Sequence, residues 1–449
     1  MSVSDLVPVG WPIDYAEPLP TEPLENPTLI VEHALARPAS SLPLPDLCGP
    51  GSRVTVVCAI HGYERNSVNA MLAPILLREL EAAGVRDEDI TILIANALHH
   101  PSSDAEKRRS LGSAIVDRYR IVDHDASNQA ELDDLGNYQG VPMQVNYRAA
   151  EADLLIALDV VEPHYYAGYS GGNKTVAIGC AGEATLNEVR TARFLDDLTA
   201  HPADSPDNLA MMVVREIGRR AGLMFVLNAV VDVDGQLLAV SAGAPNAVHD
   251  LLMRTAREHY EVEVPRDDYN IVIAGNGGSG VRTLYHASRA VVAIGAALEP
   301  VLVKGGVIIL PLRCAGAPTT DERERQFINA LSGARDMHTV ARQLSQRGIR
   351  TGEQRAYMLA QTMIAQNYRV IVVGADCVDQ ARDCGLIGAR DMLEAASLAE
   401  TIVDKQPRAL MLPHAAHLIP IHRWDITPQT RADDDEDDDI YIRAIMSDN

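Results

Sequence analysis

One stretch constrains the fold of this chain more than any other: an apolar run that leads into a glycine-rich loop ending in a lysine. Residues 153–161 read DLLIALDVV, which is typical of a buried strand. The chain continues as EPHYYAGYSGGNK, and the three glycines between Gly168 and Gly172 let a backbone approach a ligand closely. Ligands in open α/β sheets bind beyond the carboxyl ends of strands. The stretch therefore predicts a binding site around Lys174.

The rest of the chain repeats the alternation of apolar strand-like runs with amphipathic helical segments. This alternation favours an α/β fold with mostly parallel sheets. Charge rises and a proline appears within EVEVPRDDY (261–269), which indicates a boundary between two α/β domains with a cleft between them. We predict an N-terminal arm (1–50), an N-terminal α/β domain (51–265), a C-terminal α/β domain (266–415) and a C-terminal segment with an acidic tail (416–449).

Charge and cysteine content limit the class of partner and the compartment. The net charge of −23 argues against nucleic acid and anionic membranes as partners. Seven consecutive acids, Asp433 to Asp439, predict a solvated, disordered tail. The six cysteines show no C-x-x-C pair, which favours reduced thiols. The N-terminus lacks the features of a signal peptide, and no apolar run reaches 18 residues, so we expect a cytoplasmic protein.

The glycine-rich loop has three alternative interpretations. Gly168-x-Ser170-x-Gly172 matches a nucleophile elbow, but that motif places the serine directly after the strand, and Ser170 lies nine positions past Val161. A P-loop requires glycine immediately before the lysine, and Asn173 is there instead. The third alternative is a surface turn with a solvated lysine.

Candidate polar groups follow four predicted strands. Two histidines, each placed just after a strand end and in register with the lysine loop, indicate acid–base chemistry. Basic groups in a pocket of an acidic protein can clamp a carboxylate. The candidates are Arg65, His99 with His100, His164 with Lys174, and Tyr285, His286 and Arg289 at the start of a helix.

The loop resembles the nickel-dependent lactate racemase family, whose members share the pattern H-x-x-A-G-x-S-G-G-x-K. All seven specified positions match, and the resemblance extends from about residue 40 to about residue 420. It implies a racemase or epimerase of 2-hydroxy acids that uses a nickel-pincer nucleotide bound covalently at Lys174. The matched residues are His164, Ala167, Gly168, Ser170, Gly171, Gly172 and Lys174.

The resemblance also implies roles for the candidate residues. Hydride passes from C2 of the hydroxy acid to the cofactor and returns to either face, while His99 and His164 exchange the hydroxyl proton on opposite faces. Lys174, Ser170, Gly171, Gly172 and Arg190 fall on cofactor-binding positions. Arg65, His100, Tyr285, His286 and Arg289 fall on substrate-binding positions.

The chain departs from the family pattern most seriously at Arg190. Family members carry a nickel-binding histidine sixteen residues after the lysine, and Arg190 occupies that position. A guanidinium stays protonated and cannot ligate a metal. We therefore expect weak or absent nickel binding and a second anionic group on the ligand; we identify no metal ligand. The family's acid at Gly62, arginine at His100, glutamine at His286 and lysine at Arg289 are also replaced.

Two further functions remain open. Gly275-x-Gly277-x-x-Gly280 follows a predicted strand, precedes a helix and has Glu299 downstream, as in NAD-dependent dehydrogenases. The second is a non-catalytic paralogue that binds a small carboxylate, which the arginine at position 190 favours.

Overall fold

The structure is a computed structural model that describes residues 10–18, 24–60, 68–164, 168–197, 208–265, 268–275, 283–295, 300–312 and 322–422. Arg65, Gly277, Gly280, Glu299 and the acidic run at 433–439 lie outside these residues, and so the predictions made for them stay predictions.

The first sheet has six strands, and every neighbouring pair is parallel except the last two strands along the chain. Its antiparallel hairpin confirms that a short connection after residue 231 reverses the chain. In spatial order the strands are β11 (Leu237–Gly243), β10 (Leu223–Val231), β7 (Leu154–Val160), β2 (Val54–Cys58), β3 (Ile90–Ile94) and β4 (Arg120–Asp123).

The second sheet also has six strands, all parallel. Its edge strand comes from the predicted N-terminal arm, so this arm is part of the second sheet and not only a surface covering. In spatial order the strands are β1 (Ile13–Tyr15), β17 (Ala409–Leu412), β13 (Tyr269–Ala274), β14 (Leu302–Pro311), β15 (Arg369–Val373) and β16 (Ile387–Ala389). The two sheets confirm the α/β class with mostly parallel strands, while the domain limits remain a prediction.

Three two-stranded sheets complete the described strands. β12 (Glu261–Val264) pairs in parallel with β18 (Ile419–His422), and so the segment between the two large sheets is tied to the end of the described chain. The antiparallel pairs are β5 (Leu132–Tyr138) with β6 (Val141–Asn146), and β8 (Pro163–His164) with β9 (Gly168–Tyr169).

The helices connect successive strands and cover both sheets. Local sequence explains several ends: Ser103 and Glu106 form the capping box that begins α4, and Gly112 ends it at φ +86°. The helices are α1 (Pro27–Ala36), α2 (Leu44–Leu47), α3 (Asn69–Ala82), α4 (Asp104–Leu111), α5 (Ser113–Arg118), α6 (Tyr147–Ala150), α7 (Lys174–Ala177), α8 (Glu183–Glu188), α9 (Ala192–Asp197), α10 (Leu209–Arg220), α11 (Pro245–Tyr260), α12 (Leu284–Gly295), α13 (Glu322–Leu331), α14 (Met337–Arg347), α15 (Glu353–Gln366), α16 (Val378–Asp383) and α17 (Met392–Val403).

The strand that precedes the glycine-rich loop is buried along its whole length, as its apolar sequence predicts. Side chains at Leu154, Ile156 and Leu158 pack into the core that contains α3, whereas Leu155 and Ala157 pack into the core on the opposite face. Burial on both faces leaves only the ends of β7 accessible, so its carboxyl end is where functional groups can be presented.

The cysteines correct one expectation. The thiols of Cys48, Cys58, Cys180 and Cys384 are free and buried, but Cys377 is disulfide-bonded. The sequence gives no spacing signal for this bond, because a disulfide depends on proximity in space. Among the described helices, none is long and apolar enough to cross a membrane.

Candidate functional site

His99 lies in a tight turn after β3. Ala97 adopts a left-handed conformation at φ +50°, and its N–H donates to the carbonyl of Gly179 at 2.8 Å. Gly179 has no room for a side chain, since a Cβ there would lie 2.5 Å from that of Ala95. The turn is therefore held against the segment after α7 and presents a half-buried His99 and an exposed His100 beyond the sheet.

A residue of the second-sheet half contacts His99 directly. Arg323, the second residue of α13, has its Nη1 2.7 Å from His99 Nε2. A guanidinium can only donate, so Nε2 accepts this hydrogen bond and the ring proton of the neutral imidazole is on Nδ1. Sequence reasoning missed Arg323; the only signal is that its helix comes after a buried strand.

His164 lies on the short hairpin β8–β9 beyond β7. The Ser170 hydroxyl donates to the carbonyl of Val160 at 2.7 Å and accepts from the N–H of Glu162 at 3.1 Å, which closes the base of this hairpin. Arg289 of α12 donates from Nη2 to the carbonyl of Pro163 at 2.8 Å. The predicted substrate residue Arg289 is thus next to the strand that carries His164. Ser170 is fully buried, and this excludes the arrangement of a nucleophile elbow.

The glycines after Ser170 are required by conformation and by space. Gly171 and Gly172 have φ of +79° and +53°. A Cβ at Gly171 would lie 2.9 Å from Val161 Cγ2, and one at Gly172 would lie 3.1 Å from the ring of His249. The Gly172 N–H donates to Asn228 Oδ1 of β10 at 2.8 Å. The loop is therefore fixed on β10 and α11, and sequence patterns gave no signal for Asn228 or His249.

Lys174 is the first residue of the single-turn helix α7, and only 9% of it is exposed. The next residue, Thr175, donates from its hydroxyl to Asp159 Oδ2 of β7 at 2.9 Å, which fixes the start of α7 on the sheet. A lysine this deeply buried contradicts the alternative of a surface turn with a solvated side chain. It suits a lysine that reacts with, or is covered by, a ligand.

Tyr285 and His286 lie in a cluster of rings and charges on the second-sheet half. Tyr285 is buried, with Arg355 Cζ 4.1 Å from its ring centroid and Arg355 Nη1 donating to its carbonyl at 3.1 Å. His286 Nε2 is 3.1 Å from Glu324 Oε1. Burial lowers the pKa of His286 despite this carboxylate, so the imidazole is neutral near pH 7. Arg355 is a further basic residue that sequence reasoning missed.

Arg190 lies in the connection between α8 and α9. Only 9% of the residue is exposed. Its Nε and Nη1 atoms are buried and have no hydrogen-bond partner among the described residues. An unpaired buried guanidinium favours an anion and repels a metal cation.

The nickel-pincer nucleotide that the family pattern implies fits this structure in part. The buried Lys174 at the end of a fixed loop suits covalent attachment of the nucleotide. The position expected to bind nickel does not suit a metal, because Arg190 offers no lone pair. Within the described ranges, no group of three or more His, Cys, Asp or Glu side chains is placed to hold a metal ion.

Comparisons with known proteins show which proteins this chain resembles. A family model described as the lactate racemase N-terminal domain matches residues 4–200. Lactate racemase from Thermoanaerobacterium thermosaccharolyticum is 26% identical over 396 residues, covering 87% of this chain and 89% of that protein. Lactate racemase from Lactiplantibacillus plantarum is 30% identical over 282 residues, covering 62% and 64% respectively.

Solved structures show the same relationship. The lactate racemase apoprotein from Thermoanaerobacterium thermosaccharolyticum superposes with a TM-score of 0.80 at 25% identity, over 91% of this chain and 94% of that chain. A Thermotoga maritima protein shares the fold, with a TM-score of 0.67 at 17% identity over 90% of this chain and 100% of that chain. Sequence and structure comparisons thus converge, over most of the length of the chain, on similarity to lactate racemases.

Proposed function

We propose that this protein is an isomerase that interconverts the enantiomers or epimers of a 2-hydroxy acid. The observation that carries this proposal is the pair of contacts between the two sheet halves. Arg323 contacts His99, and Arg289 contacts the strand of His164. Two imidazoles and two guanidinium groups are therefore brought beyond the carboxyl ends of β3 and β7, which lie on either side of β2.

In this proposal the guanidinium groups bind the substrate and the imidazoles transfer its hydroxyl proton. Guanidinium groups bind a carboxylate through charge-assisted hydrogen bonds, which fixes the hydroxy acid and leaves its C2 and hydroxyl group oriented. His99 and His164 each take the hydroxyl proton from one enantiomer and return it to the other, since imidazole titrates near neutral pH. Arg65, His100, Tyr285 and His286 are the other proposed substrate-binding residues.

Lys174 would hold the pincer nucleotide, which when bound supplies an acceptor for the hydride of C2. Ser170, Gly171 and Gly172 contribute by shaping the loop that presents this lysine. Arg190 would bind an anionic group, either a phosphate of the nucleotide or a second carboxylate of the substrate. No step in this proposal depends on nickel, and the ligand is a small hydroxy acid, with the cytoplasm as the expected compartment.

The direct test combines intact mass, ultraviolet–visible spectra and racemisation of protein produced together with the cofactor pathway. We expect a covalent adduct that is lost in Lys174→Ala, and interconversion that is lost in His99→Ala and in His164→Ala while substrate binding remains. Equal residual racemisation in the two histidine variants would rule out the two-base mechanism.

The buried Arg190 favours one alternative, a non-catalytic paralogue that binds a small carboxylate. That alternative predicts carboxylate binding that is weakened by Arg190→Gln, with neither an adduct at Lys174 nor turnover. Retention of NAD in the purified protein would instead support the dehydrogenase interpretation.

A further inference from the structure

The contact between Arg323 and His99 has a chemical consequence for the order of events at the site. His99 Nε2 accepts a hydrogen bond from the guanidinium at 2.7 Å. While this bond persists, the Nε2 lone pair is engaged and cannot take a proton from a substrate hydroxyl. The adjacent cation also disfavours the imidazolium form of His99. The contact thus keeps the imidazole of His99 uncharged and its Nε2 lone pair engaged by Arg323.

A substrate carboxylate offers Arg323 a better partner than an imidazole. Both bonds are charge-assisted, but a carboxylate is negatively charged and can accept two parallel hydrogen bonds from a guanidinium, whereas the imidazole nitrogen accepts one. Arg323 is half-buried at the start of α13, with Arg355 and Arg289 on neighbouring helices. A carboxylate that enters among these arginines can withdraw Arg323 from His99.

We propose that Arg323 is a positioning residue that couples carboxylate binding to the activation of His99. In the free protein it blocks Nε2; when the carboxylate of a 2-hydroxy acid binds, the guanidinium transfers to the carboxylate and Nε2 becomes available to the substrate hydroxyl. The proton then moves from the hydroxyl oxygen to Nε2, and the positive charge on His99 is tolerated because the guanidinium is neutralised. This inference rests on the proposed function for its substrate class.

Charged groups from both halves surround this contact: Arg355 is at the same Tyr285 ring as Arg323, and Glu324 is paired with His286. Asp123 is already paired with Lys107 and accepts from the Ser102 N–H, and Glu106 accepts from the Ser103 hydroxyl and N–H. The charged or titratable groups to consider are His100 of the same turn, Lys107 and Glu106 of α4, Asp123 of β4, Lys174 of α7 and Arg323 of α13.

The test follows the titration of His99 by NMR in protein labelled at its histidine rings, with the His99 signal assigned from His99→Gln. The probe is 2-hydroxyisobutyrate, a hydroxy acid that has no C2 hydrogen and cannot react. In the unmodified protein we expect saturating probe to raise the pKa of His99 by on the order of one pH unit. In Arg323→Met the pKa should already be raised without the probe, and the probe should add little.

Two variants control for nonspecific effects. Arg323→Lys retains the cation beside His99 and should preserve the response of His99 to the probe. Arg325→Met removes an exposed arginine of the same helix, which pairs with Glu322, and should leave the titration unchanged. An identical His99 titration in Arg323→Met and the unmodified protein would overturn the inference. These measurements need neither cofactor nor turnover. If the probe raises the pKa of His99 but the protein does not racemise hydroxy acids, the proposed function is refuted and this inference is not.

Discussion

At the scale of single residues, Arg190 is the side chain whose environment most needs a ligand. Two of its guanidinium nitrogens are buried without a partner among the described residues. We expect Arg190→Met to raise the free energy of unfolding of the ligand-free protein by about 1–3 kcal/mol, because an uncompensated buried charge is removed. Chemical denaturation measures this difference. Arg193→Met, at an exposed arginine of the same segment, should not stabilise the protein.

The residue at position 190 also leads to a prediction for the nickel content of the protein. As long as Arg190 occupies the place of the family's nickel-binding histidine, nickel should be bound at well below one ion per chain. Arg190→His replaces a fixed cation with a neutral nitrogen ligand, and so nickel content should rise. Metal analysis of both proteins, produced with the cofactor pathway, checks this. Stoichiometric nickel in the unmodified protein together with lactate racemisation would contradict it, and would mean that another residue binds the metal.

At the scale of elements, the loop between β9 and α7 depends on glycine for two separable reasons. Gly171 combines a left-handed φ of +79° with contacts that a Cβ would make at 2.9 Å and 3.1 Å. Gly222 has the same φ of +79° but open space around it. Gly222→Ala should therefore lower the free energy of unfolding by about 1 kcal/mol, because of backbone strain alone. Gly171→Ala should lower it by about 2–4 kcal/mol, because the new methyl group also clashes with its neighbours.

Thermal and chemical unfolding of the two alanine variants measure these costs. Equal destabilisation would show that β7 and Asn228 relax around the added methyl group and that the loop is not held by close packing. Adduct formation at Lys174 should fall in Gly171→Ala and not in Gly222→Ala, since only the first variant displaces the loop that presents the lysine.

Elements with a strong local signal were predictable from sequence. The apolar run at 153–161 predicts β7, and the capping-box spacing of Ser103 and Glu106 predicts the start of α4. The hairpin β8–β9 was not predicted. It consists of two residues on each side, so no periodicity can develop, and it depends on the Ser170 hydroxyl bonding to the end of β7.

At the scale of the whole molecule, the unpredicted features join parts of the chain that are distant in sequence. Arg323 and His99 are 224 positions apart, and Arg289 and Pro163 are 126 apart. The edge strand β1 pairs with β17, almost 400 positions later. Local patterns contain no information on such pairings. Sequence could place His99 and His164 at strand ends and name Arg289 as a candidate, but it could not identify Arg323 or show which side chains meet.

The buried histidines give the whole molecule a predictable dependence on pH. Desolvation lowers the pKa of His124, His249, His259 and His286 below the ordinary value of 6.5. Below about pH 6.5 the unfolded chain binds protons that the folded protein excludes, so the free energy of unfolding falls as pH decreases from about 7.5 to about 5. Carboxylates with a lowered pKa, such as Asp123, change the free energy of unfolding only at more acidic pH.

His259 provides the sharpest check of this mechanism. Neither of its ring nitrogens has a hydrogen-bond partner among the described residues, so His259→Leu removes a titrating group without breaking a bond. Chemical denaturation at both ends of this pH range should show a smaller loss of stability in His259→Leu than in the unmodified protein. His338→Leu, at an exposed histidine of α14, should keep the full loss of stability, because folding does not bury this side chain. A pH dependence that is the same in all three proteins would mean that His259 gains a solvent path or a partner when it is protonated.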